Sequence, residues 1–365
     1  MNWVSSFVKD TIERLRSIID GYVLASISGG VDSTTAAFLA KKALGDRVKA
    51  VIIDTGYLRL DEPYMVKKIL DKYLPIEIYD FKEEFYKETF NISNSEVKRI
   101  KFREVFYRVL SRIARELNCE YLIQGTIAPD WIETTGGIKT QHNVLEDIGI
   151  DPLKRFGIRI IEPLRELYKS EVREIAKYLG VPDVIIYRQP FPGPGLLVRV
   201  IGRVDLDKLK VLKVATKILE DKLKDKGYSQ YFIALAPKPQ VQLWDVEFNV
   251  TLEEFSVKAT GVKGDIRCYS KMYAVREGID RALSLWRHIV WKYNASRVLG
   301  LLKENTGKYS MLIRVVQTKD FMTASVPLIN NSILKSLIDD LSTIDDVGAI
   351  YYEVTPKPPA TIEYE

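Results

Sequence analysis

The feature that most constrains this chain is a pair of glycines between an apolar run and a helical pattern. Residues 22–27 are mostly apolar and short enough for a buried strand, Ser28, Gly29 and Gly30 follow, and residues 32–44 are rich in small helix-forming side chains. Glycine lets the backbone turn its N–H groups toward a ligand without a Cβ in the way. A helix start adds free N–H groups and the positive end of its dipole. The stretch therefore predicts a strand, a tight turn and a helix that cradle an anion.

The acidic residue in this turn refines the hypothesis. Asp32 would repel a phosphate unless a cation lay between them, so its position favours a phosphate that carries Mg²⁺. Ser28 and Ser33 add hydroxyl donors. A second interpretation fits the turn alone equally well, since Asp32 and Ser33 could simply stabilise the first helical turn.

Two other phosphate-binding motifs do not occur in the sequence. There is no GxxxxGK[ST], because Lys308 in NTGKYS lacks the upstream glycine and the required Ser or Thr. No GxGxxG follows the first strand, which weakens a dinucleotide-binding interpretation.

The first half of the chain alternates strand and helix patterns. Strands are predicted at residues 22–27, 48–53, 76–79, 120–124 and 159–161, and helices at 32–44, 61–73, 93–117 and 169–179. Such alternation is typical of an α/β fold in which helices flank a parallel sheet. Ligands bind beyond the carboxyl ends of its strands, where we expect the segments SGGVDS, DTGYLR and QGT.

The segment PFPGPG (190–195) can form neither a helix nor a central strand. We therefore predict two domains, residues 1–190 and 191–365. In the second, helices are predicted near 206–226, 274–293 and 331–341, and strands at 231–236, 241–246, 254–260, 312–317 and 349–354. This order indicates an α+β domain with a partly antiparallel sheet.

Composition limits the compartment and the partners. The formal net charge of +5 on 365 residues, without a long basic block, favours solvated surface lysines over a site for anionic ligands. No apolar run reaches the ~18 residues of a membrane span. The two cysteines, Cys119 and Cys268, are far apart and form no disulfide framework, so we expect a cytoplasmic protein.

SGGVDS resembles the pyrophosphate loop of the ATP pyrophosphatases, enzymes that split ATP to AMP and pyrophosphate. Further segments occur in order and together are similar to the ATP-pyrophosphatase portion of GMP synthetase: IIDTGYLR (52–59), QGTIAPD (124–130), IKTQHNV (138–144), EPLREL (162–167), RQPFPGPGL (188–196) and KPPATIEYE (357–365). The resemblance covers nearly the whole chain. PFPGPG and the KPPATIE tail are its most specific parts.

The resemblance implies that XMP, Mg²⁺-ATP and ammonia become GMP, AMP and pyrophosphate through an adenylyl-XMP intermediate. Such chemistry needs positioning and charge neutralisation rather than a protein nucleophile. The sequence agrees, because His142 and His288 are its only histidines and no Ser-His-Asp grouping is evident.

The resemblance also assigns an ATP site, with Asp32 as the Mg²⁺ ligand. Its residues are Ser28, Gly29, Gly30, Val31, Asp32, Ser33, Thr34, Asp54, Thr55, Gly125 and Thr126. Residues 136–144 look like the family's mobile lid, in which Lys139 would neutralise the leaving pyrophosphate and His142 would lie beside it. The family usually has two adjacent histidines, whereas this chain has Gln141 before His142, so any role that needs both imidazoles is weakened.

XMP would be bound by a second set of residues, which are Arg99, Arg188, Gln230, Lys357, Thr361 and Glu363. Lys357 suits the 5′-phosphate, and Glu363 suits a donor edge of the purine or ribose. For Arg99 a competing interpretation is a surface arginine on a helix.

The family is dimeric through its second domain, so the resemblance implies a homodimer. The chain begins shortly before SGGVDS, which leaves no room for a glutamine amidotransferase domain. We expect ammonia from a separate amidotransferase subunit, as in the archaeal type, or from free ammonium. The stretch between Cys268 and Gln317 exceeds the family norm. We interpret its Trp286, Trp291 and Tyr293 as core or dimer contacts, and a docking surface for the amidotransferase is the alternative.

Two alternatives stay open at this point. The first is another ATP pyrophosphatase, such as an NAD synthetase, although that enzyme would lack PFPGPG and KPPATIE, and an RNA-thiolating enzyme would show paired cysteines. The second is a non-catalytic nucleotide- or RNA-binding protein. The intact SGGVDS and the lack of an RNA-binding motif disfavour it.

Overall fold

A computed structural model describes residues 2–130, 155–264, 266–318 and 322–365. These residues form two compact units. The first unit comprises the chain up to residue 88 together with residues 100–193, and the second unit comprises residues 89–99 and 194–365.

The first unit contains a five-stranded parallel sheet flanked by helices, as predicted. Its elements in chain order are α1 (Trp3–Ile18), β1 (Tyr22–Ser26), α2 (Val31–Leu44), β2 (Val48–Asp54), α3 (Glu62–Leu70), β3 (Ile76–Asp80), α4 (Lys82–Thr89), α5 (Ser95–Glu116), β4 (Cys119–Ile123), β5 (Arg159–Ile161), α6 (Lys169–Leu179) and α7 (Asp183–Ile186). The strand order is β3-β2-β1-β4-β5, and every neighbouring pair is parallel. The first residues of α5 belong to the second unit.

Helix α2 lies inside this unit rather than on its surface. It packs against α1 and α6, and its Ala36, Ala37 and Ala40 are fully buried. Small side chains allow neighbouring helices and the sheet to approach α2 from several sides. This explains why the sequence after the two glycines is rich in alanine and threonine instead of showing one apolar stripe.

The second unit is built on a seven-stranded mixed sheet. Its elements are β6 (Gln230–Pro237), β7 (Val241–Asp245), β8 (Val250–Lys263), β9 (Ile266–Val275), β10 (Arg297–Glu304), β11 (Tyr309–Val316) and β12 (Val347–Glu353), with helices α8 (Leu206–Leu223), α9 (Ile279–Tyr293) and α10 (Asn331–Leu341). The order is β6-β11-β12-β10-β9-β8-β7. The pairs β11/β12 and β10/β9 are parallel and the others antiparallel.

The predicted helix at 274–293 is partly wrong, because β9 extends to Val275 and α9 begins only at Ile279. Gly278, with φ +99°, separates the two elements. Residues 272–275 are buried between β8 and β10, and an apolar run that short does not distinguish strand from helix. Strands β9 and β10 and helix α4 were not predicted.

The aromatic residues of α9 do not form a core. Trp291 is 90% exposed, so the core interpretation is wrong for this residue. Trp286 and Tyr293 are half-buried. Their interpretation as a contact between two copies stays a prediction.

Among the described helices, none has both the length and the apolar character needed to cross a bilayer. Both cysteines are free thiols, and Cys119 is buried.

The C-terminal tail is fastened to the second unit by buried charge. Glu353 on β12 pairs with Arg297 at 2.8 Å and with Arg314 at 3.0 Å, and all three side chains are fully buried. Arg314 also donates to the carbonyl of Thr361 at 3.2 Å. The Thr260 N–H donates to the Tyr364 carbonyl at 2.8 Å. One carboxylate therefore compensates two guanidinium groups that hold the tail.

This cluster predicts a large stability difference between two Glu→Gln substitutions. Glu353→Gln should lower the free energy of unfolding by about 3–5 kcal/mol, because it leaves buried guanidinium groups without a counter-charge. Glu247→Gln, at a residue that is 64% exposed and pairs with Lys292 at 2.8 Å, should cost less than about 1 kcal/mol. Urea unfolding of both variants checks this, and equal effects would contradict it.

Candidate functional site

A cavity of about 200 Å³ opens at the carboxyl edge of the parallel sheet, where β1 and β4 end side by side. Its lining comprises Ser26, Ser28, Gly30, Asp32, Ser33, Phe106, Leu110, Leu122, Ile123, Gln124, Gly125, Thr126 and Asp130. The chain leaves β1 toward β2 on one side, while β4 lies on the other. This is the switch point at which α/β sheets bind ligands.

The turn between β1 and α2 has the predicted shape. Gly29 has φ +79°, a conformation that favours glycine. The Ser28 and Ser33 hydroxyls lie 2.9 Å apart, and the Ser28 N–H donates to Ser33 Oγ at 3.2 Å. The Gly30 N–H faces Ser28 Oγ at 3.4 Å. Two hydroxyls and the N–H groups at the helix start are thus gathered at the mouth of one cavity.

Gly125 allows β4 to approach the start of α2. A Cβ at this position would lie 2.6 Å from the carbonyl carbon of Asp32 and 2.6 Å from the backbone nitrogen of Ser33. Only a residue without a side chain leaves room for this contact. The glycine at the end of β4 is therefore a packing requirement.

The two carboxylate oxygens of Asp32 differ in their hydrogen bonds. Lys169 donates to Oδ2, while Oδ1 is buried with no hydrogen-bond partner within the described ranges. Burial raises the pKa of Asp32, Lys169 opposes this rise, and the Asp130 carboxylate adds to it. Asp32 and Asp130 both line the cavity, and carboxylate oxygens are ligands of the kind that Mg²⁺ takes. Among the described residues, no three His, Cys, Asp or Glu side chains group as metal ligands.

A hydrogen-bond network fixes the end of β4. The Thr126 hydroxyl donates to Glu162 at 2.5 Å, and the Gln124 amide donates to Thr126 Oγ1 at 3.0 Å. Tyr107 donates to the other end of the Gln124 amide at 3.0 Å. Glu162, from the EPLREL segment, therefore holds Thr126 at the cavity.

Asp54 and Thr55 are buried at the end of the neighbouring strand β2, outside this cavity lining. The Asp54 carboxylate accepts from the Gly56 N–H at 2.9 Å and pairs with Lys82 at 3.0 Å. The Tyr57 N–H donates to the Thr55 hydroxyl at 3.3 Å. Both side chains thus stabilise the turn after β2, and their role toward adenosine stays a prediction.

In the second unit, the structure brings Gln230 and Glu363 together. The Gln230 amide donates to Glu363 Oε1 at 3.2 Å. Arg199 holds the same carboxylate with two bonds, from Nη2 at 2.9 Å and from Nε at 3.2 Å. Sequence reasoning missed Arg199. The available signal was one arginine inside the apolar run GLLVRVI, since a buried arginine needs a carboxylate partner.

Arg99 is buried, with 4% of its surface exposed, so the surface interpretation is wrong. None of its three guanidinium nitrogens has a hydrogen-bond partner within the described residues. Burial and the nearby Arg267 lower the pKa of Arg99 to about 10, while Glu363 opposes this shift. A buried charged group without partners is costly for a folded protein. An anionic ligand would satisfy it.

The tail residues Thr361 and Lys357 are held by contacts within the second unit. The Thr361 hydroxyl lies 2.6 Å from the Thr260 hydroxyl and accepts from Arg297 at 2.7 Å, so it is engaged within the protein. The Lys357 backbone exchanges hydrogen bonds with Ala324 at 2.9 and 3.0 Å. The spacing between Lys357 and Glu363 is therefore fixed by contacts at both ends.

Arg188 was predicted to bind XMP. In the structure it contacts the glycine turn of the first unit, where its Nη1 donates to the Gly29 carbonyl at 3.2 Å. Lys139 and His142 lie outside the described residues, and their roles stay predictions.

Comparisons with known proteins agree with both halves of this description. Residues 1–231 match the family model described as NAD synthase, and residues 282–364 match the one described as GMP synthase C terminal domain. Relatives that share nearly their whole length with this chain are named as one of the subunits of glutamine-hydrolyzing GMP synthase. Those of Sulfurisphaera tokodaii and Saccharolobus solfataricus are 44% and 46% identical, over 98% and 99% of both chains. That of Pyrococcus abyssi is 38% identical over 100% of both chains.

The contact at Gly125 predicts the effect of adding one methyl group. Gly125→Ala should lower the free energy of unfolding by about 1–3 kcal/mol, because the clash is with backbone that cannot rotate away. The matched control is Gly21→Ala, where a Cβ would meet no atom within 4 Å. Urea unfolding compares the two, and an unchanged Gly125→Ala midpoint would contradict the close approach.

Proposed function

This chain belongs to the same family of glutamine-hydrolyzing GMP synthase subunits as these relatives, and we propose that it aminates XMP to GMP after activating the purine with ATP. It is a ligase subunit of purine nucleotide biosynthesis. The membership rests on relatives 38–46% identical over essentially the full length. The NAD synthase match alone would leave the substrate open, and the match of residues 282–364 favours GMP synthesis.

The proposed chemistry has two steps. The C2 oxygen of XMP attacks the α-phosphorus of ATP, and pyrophosphate leaves. Ammonia then adds to C2 of the adenylyl-XMP, loses a proton, and AMP leaves with the former C2 oxygen. Negative charge builds up on the leaving pyrophosphate in the first step and on the leaving AMP in the second. The chain therefore contributes by holding the two nucleotides and neutralising this phosphate charge.

The turn at the start of α2 carries the ATP half of this proposal. Its N–H groups and the hydroxyls of Ser28 and Ser33 offer donors to the pyrophosphate. Asp32, with one buried carboxylate oxygen unpaired in the described structure, would hold Mg²⁺, which supplies charge neutralisation at the departing phosphates. We assign Lys139 and His142 to the same task from the motif alone.

The second unit carries the XMP half. Arg99 supplies a buried, unsatisfied positive charge for an anionic nucleotide. Glu363 is oriented by Arg199 and Gln230 and offers an acceptor to a donor edge of the purine or ribose. Lys357 would bind the 5′-phosphate. Thr361 acts by fixing the tail, since its hydroxyl is engaged by Arg297 and Thr260.

The source of ammonia and the assembly state complete the proposal. The relatives are named as one subunit of a glutamine-hydrolyzing enzyme, so we propose that a separate glutamine amidotransferase delivers ammonia and that free ammonium can replace it. We also propose a homodimer formed through the second unit. No nucleic-acid or membrane partner is part of this scheme.

The first functional prediction concerns the nitrogen donor and Asp32. With Mg²⁺-ATP and XMP, the chain alone should form GMP with ammonium and not with glutamine, as followed by loss of XMP absorbance. Asp32→Asn should abolish turnover. Asp71→Asn, at an exposed aspartate that pairs with Lys67 at 3.0 Å, should leave the rate unchanged. Turnover with glutamine alone would contradict the two-subunit scheme.

The second functional prediction separates ligand binding from folding at Arg99. Arg99→Met should raise the KM for XMP roughly ten- to hundredfold, because a charge-assisted hydrogen bond is lost. It should leave the free energy of unfolding unchanged or higher, because a buried charge without protein partners is removed. Arg108→Met, at a half-exposed arginine on the same helix, is the control. A loss of stability without a change in KM would make Arg99 structural.

A further inference from the structure

We propose that Arg188 is a positioning residue of the phosphate-binding turn, so that it acts on ATP rather than on XMP. The inference rests on the proposed function for the identity of the ligand. Its physical basis is a contact between the Arg188 guanidinium and the backbone of Gly29, within the first unit.

Arg188 is held by a buried carboxylate while it reaches the turn. Its Nη2 pairs with Glu62 at 2.7 Å, and Glu62 has only 3% of its side chain exposed. Glu62 also pairs with Arg59 at 3.1 Å and accepts from the Arg59 N–H at 2.8 Å. The guanidinium that donates to Gly29 is thus also bonded to a buried carboxylate, which itself has a second arginine partner.

Arg59 extends the cluster to the segment that follows Arg188. Its guanidinium lies 4.1 Å from the ring centre of Phe191 and donates to the Gln189 carbonyl at 3.3 Å. Two of the motif segments, 52–59 and 188–196, are therefore joined through Glu62. Neither segment lines the cavity at the end of β1. Any effect of these segments on a ligand in that cavity must therefore act through other residues.

Holding the Gly29 carbonyl also sets the next N–H group. In a trans peptide unit, the C=O of one residue and the N–H of the next point in opposite directions. With the Gly29 carbonyl directed at Arg188, the Gly30 N–H is directed away from it, toward Ser28 Oγ at 3.4 Å. Ser28 and Gly30 both line the cavity. Arg188 therefore orients a donor that the phosphate would use.

The glycine at this position makes such a hold necessary. Gly29 has φ +79° and accepts several backbone conformations. Its lack of a Cβ is also required, because a Cβ would lie 2.5 Å from Arg188 Nη1 and 2.7 Å from Val66 Cγ2. Without Arg188, the peptide between the two glycines would lose the bond that selects one orientation.

The test compares Arg188→Lys and Arg188→Met with the wild-type chain. A lysine keeps the charge but cannot bond Gly29 and Glu62 with two separate, rigidly spaced nitrogens. We expect both variants to raise the KM for ATP about tenfold, and to leave the KM for XMP within about twofold. Titration calorimetry with a non-hydrolysable ATP analogue and Mg²⁺ should show the same loss of affinity without any turnover. Arg112→Lys, at an exposed arginine that pairs with Glu84 at 2.6 Å, is the control.

Glu62→Gln provides an independent variant that leaves Arg188 in place. It should weaken binding of the ATP analogue in the same direction, since Arg188 loses its anchor. A raised KM for XMP with unchanged affinity for the ATP analogue would overturn the proposal and move Arg188 to the XMP site. Unchanged affinities in all variants would also overturn it. Because calorimetry needs no XMP, loss of analogue binding in the Arg188 variants would stand even if GMP synthesis itself were not observed.

Discussion

The site in the first unit depends on how closely the end of β4 approaches the start of α2. No side chain separates the two, since a Cβ on Gly125 would lie 2.6 Å from the backbone of Asp32 and Ser33. This contact puts the helix N-terminus, with its free N–H groups and positive dipole end, at the edge where two neighbouring parallel strands end. The buried alanines of α2 (Ala36, Ala37, Ala40 and Ala43) let neighbouring helices and strands approach this helix closely. Asp32, Ser33 and Thr126 reach one cavity only because these backbones touch.

The second unit relies on buried charge. Arg199 pairs with Glu363, Arg297 and Arg314 share Glu353, and the guanidinium of the buried Arg99 has no hydrogen-bond partner among the described residues. Replacing such groups with apolar side chains often raises stability, so their presence calls for another explanation. A nucleotide monophosphate carries the complementary charge. We propose that the second unit gives up folding stability to keep positive charge for an anionic substrate, and that the first unit uses backbone N–H groups for the same purpose.

The sequence predicted the parallel sheet, the turn and most element positions, because strand runs bounded by glycine and helices with clear caps are local signals. It did not predict β9 and β10, because the apolar runs MYAV and RVLGLL fit a buried strand and a buried helix equally well. Only their pairing with neighbouring strands in the sheet makes them strands. Arg199 was missed because an arginine within an apolar run has no visible partner until Glu363, far along the chain, folds against it. Arg99 was predicted as a candidate, but its burial follows from packing that the helical pattern of α5 does not reveal.

The central claim is that ATP activates the C2 oxygen of XMP, and following that oxygen tests it most directly. XMP labelled with a heavy oxygen isotope at C2 would be converted with Mg²⁺-ATP and ammonium, and the products analysed by mass spectrometry. The account predicts that the label leaves in AMP, because the oxygen becomes part of its phosphate when ammonia displaces it. Label recovered in water or in pyrophosphate, with unlabelled AMP, would contradict adenylation of the purine and with it the roles assigned to both sites.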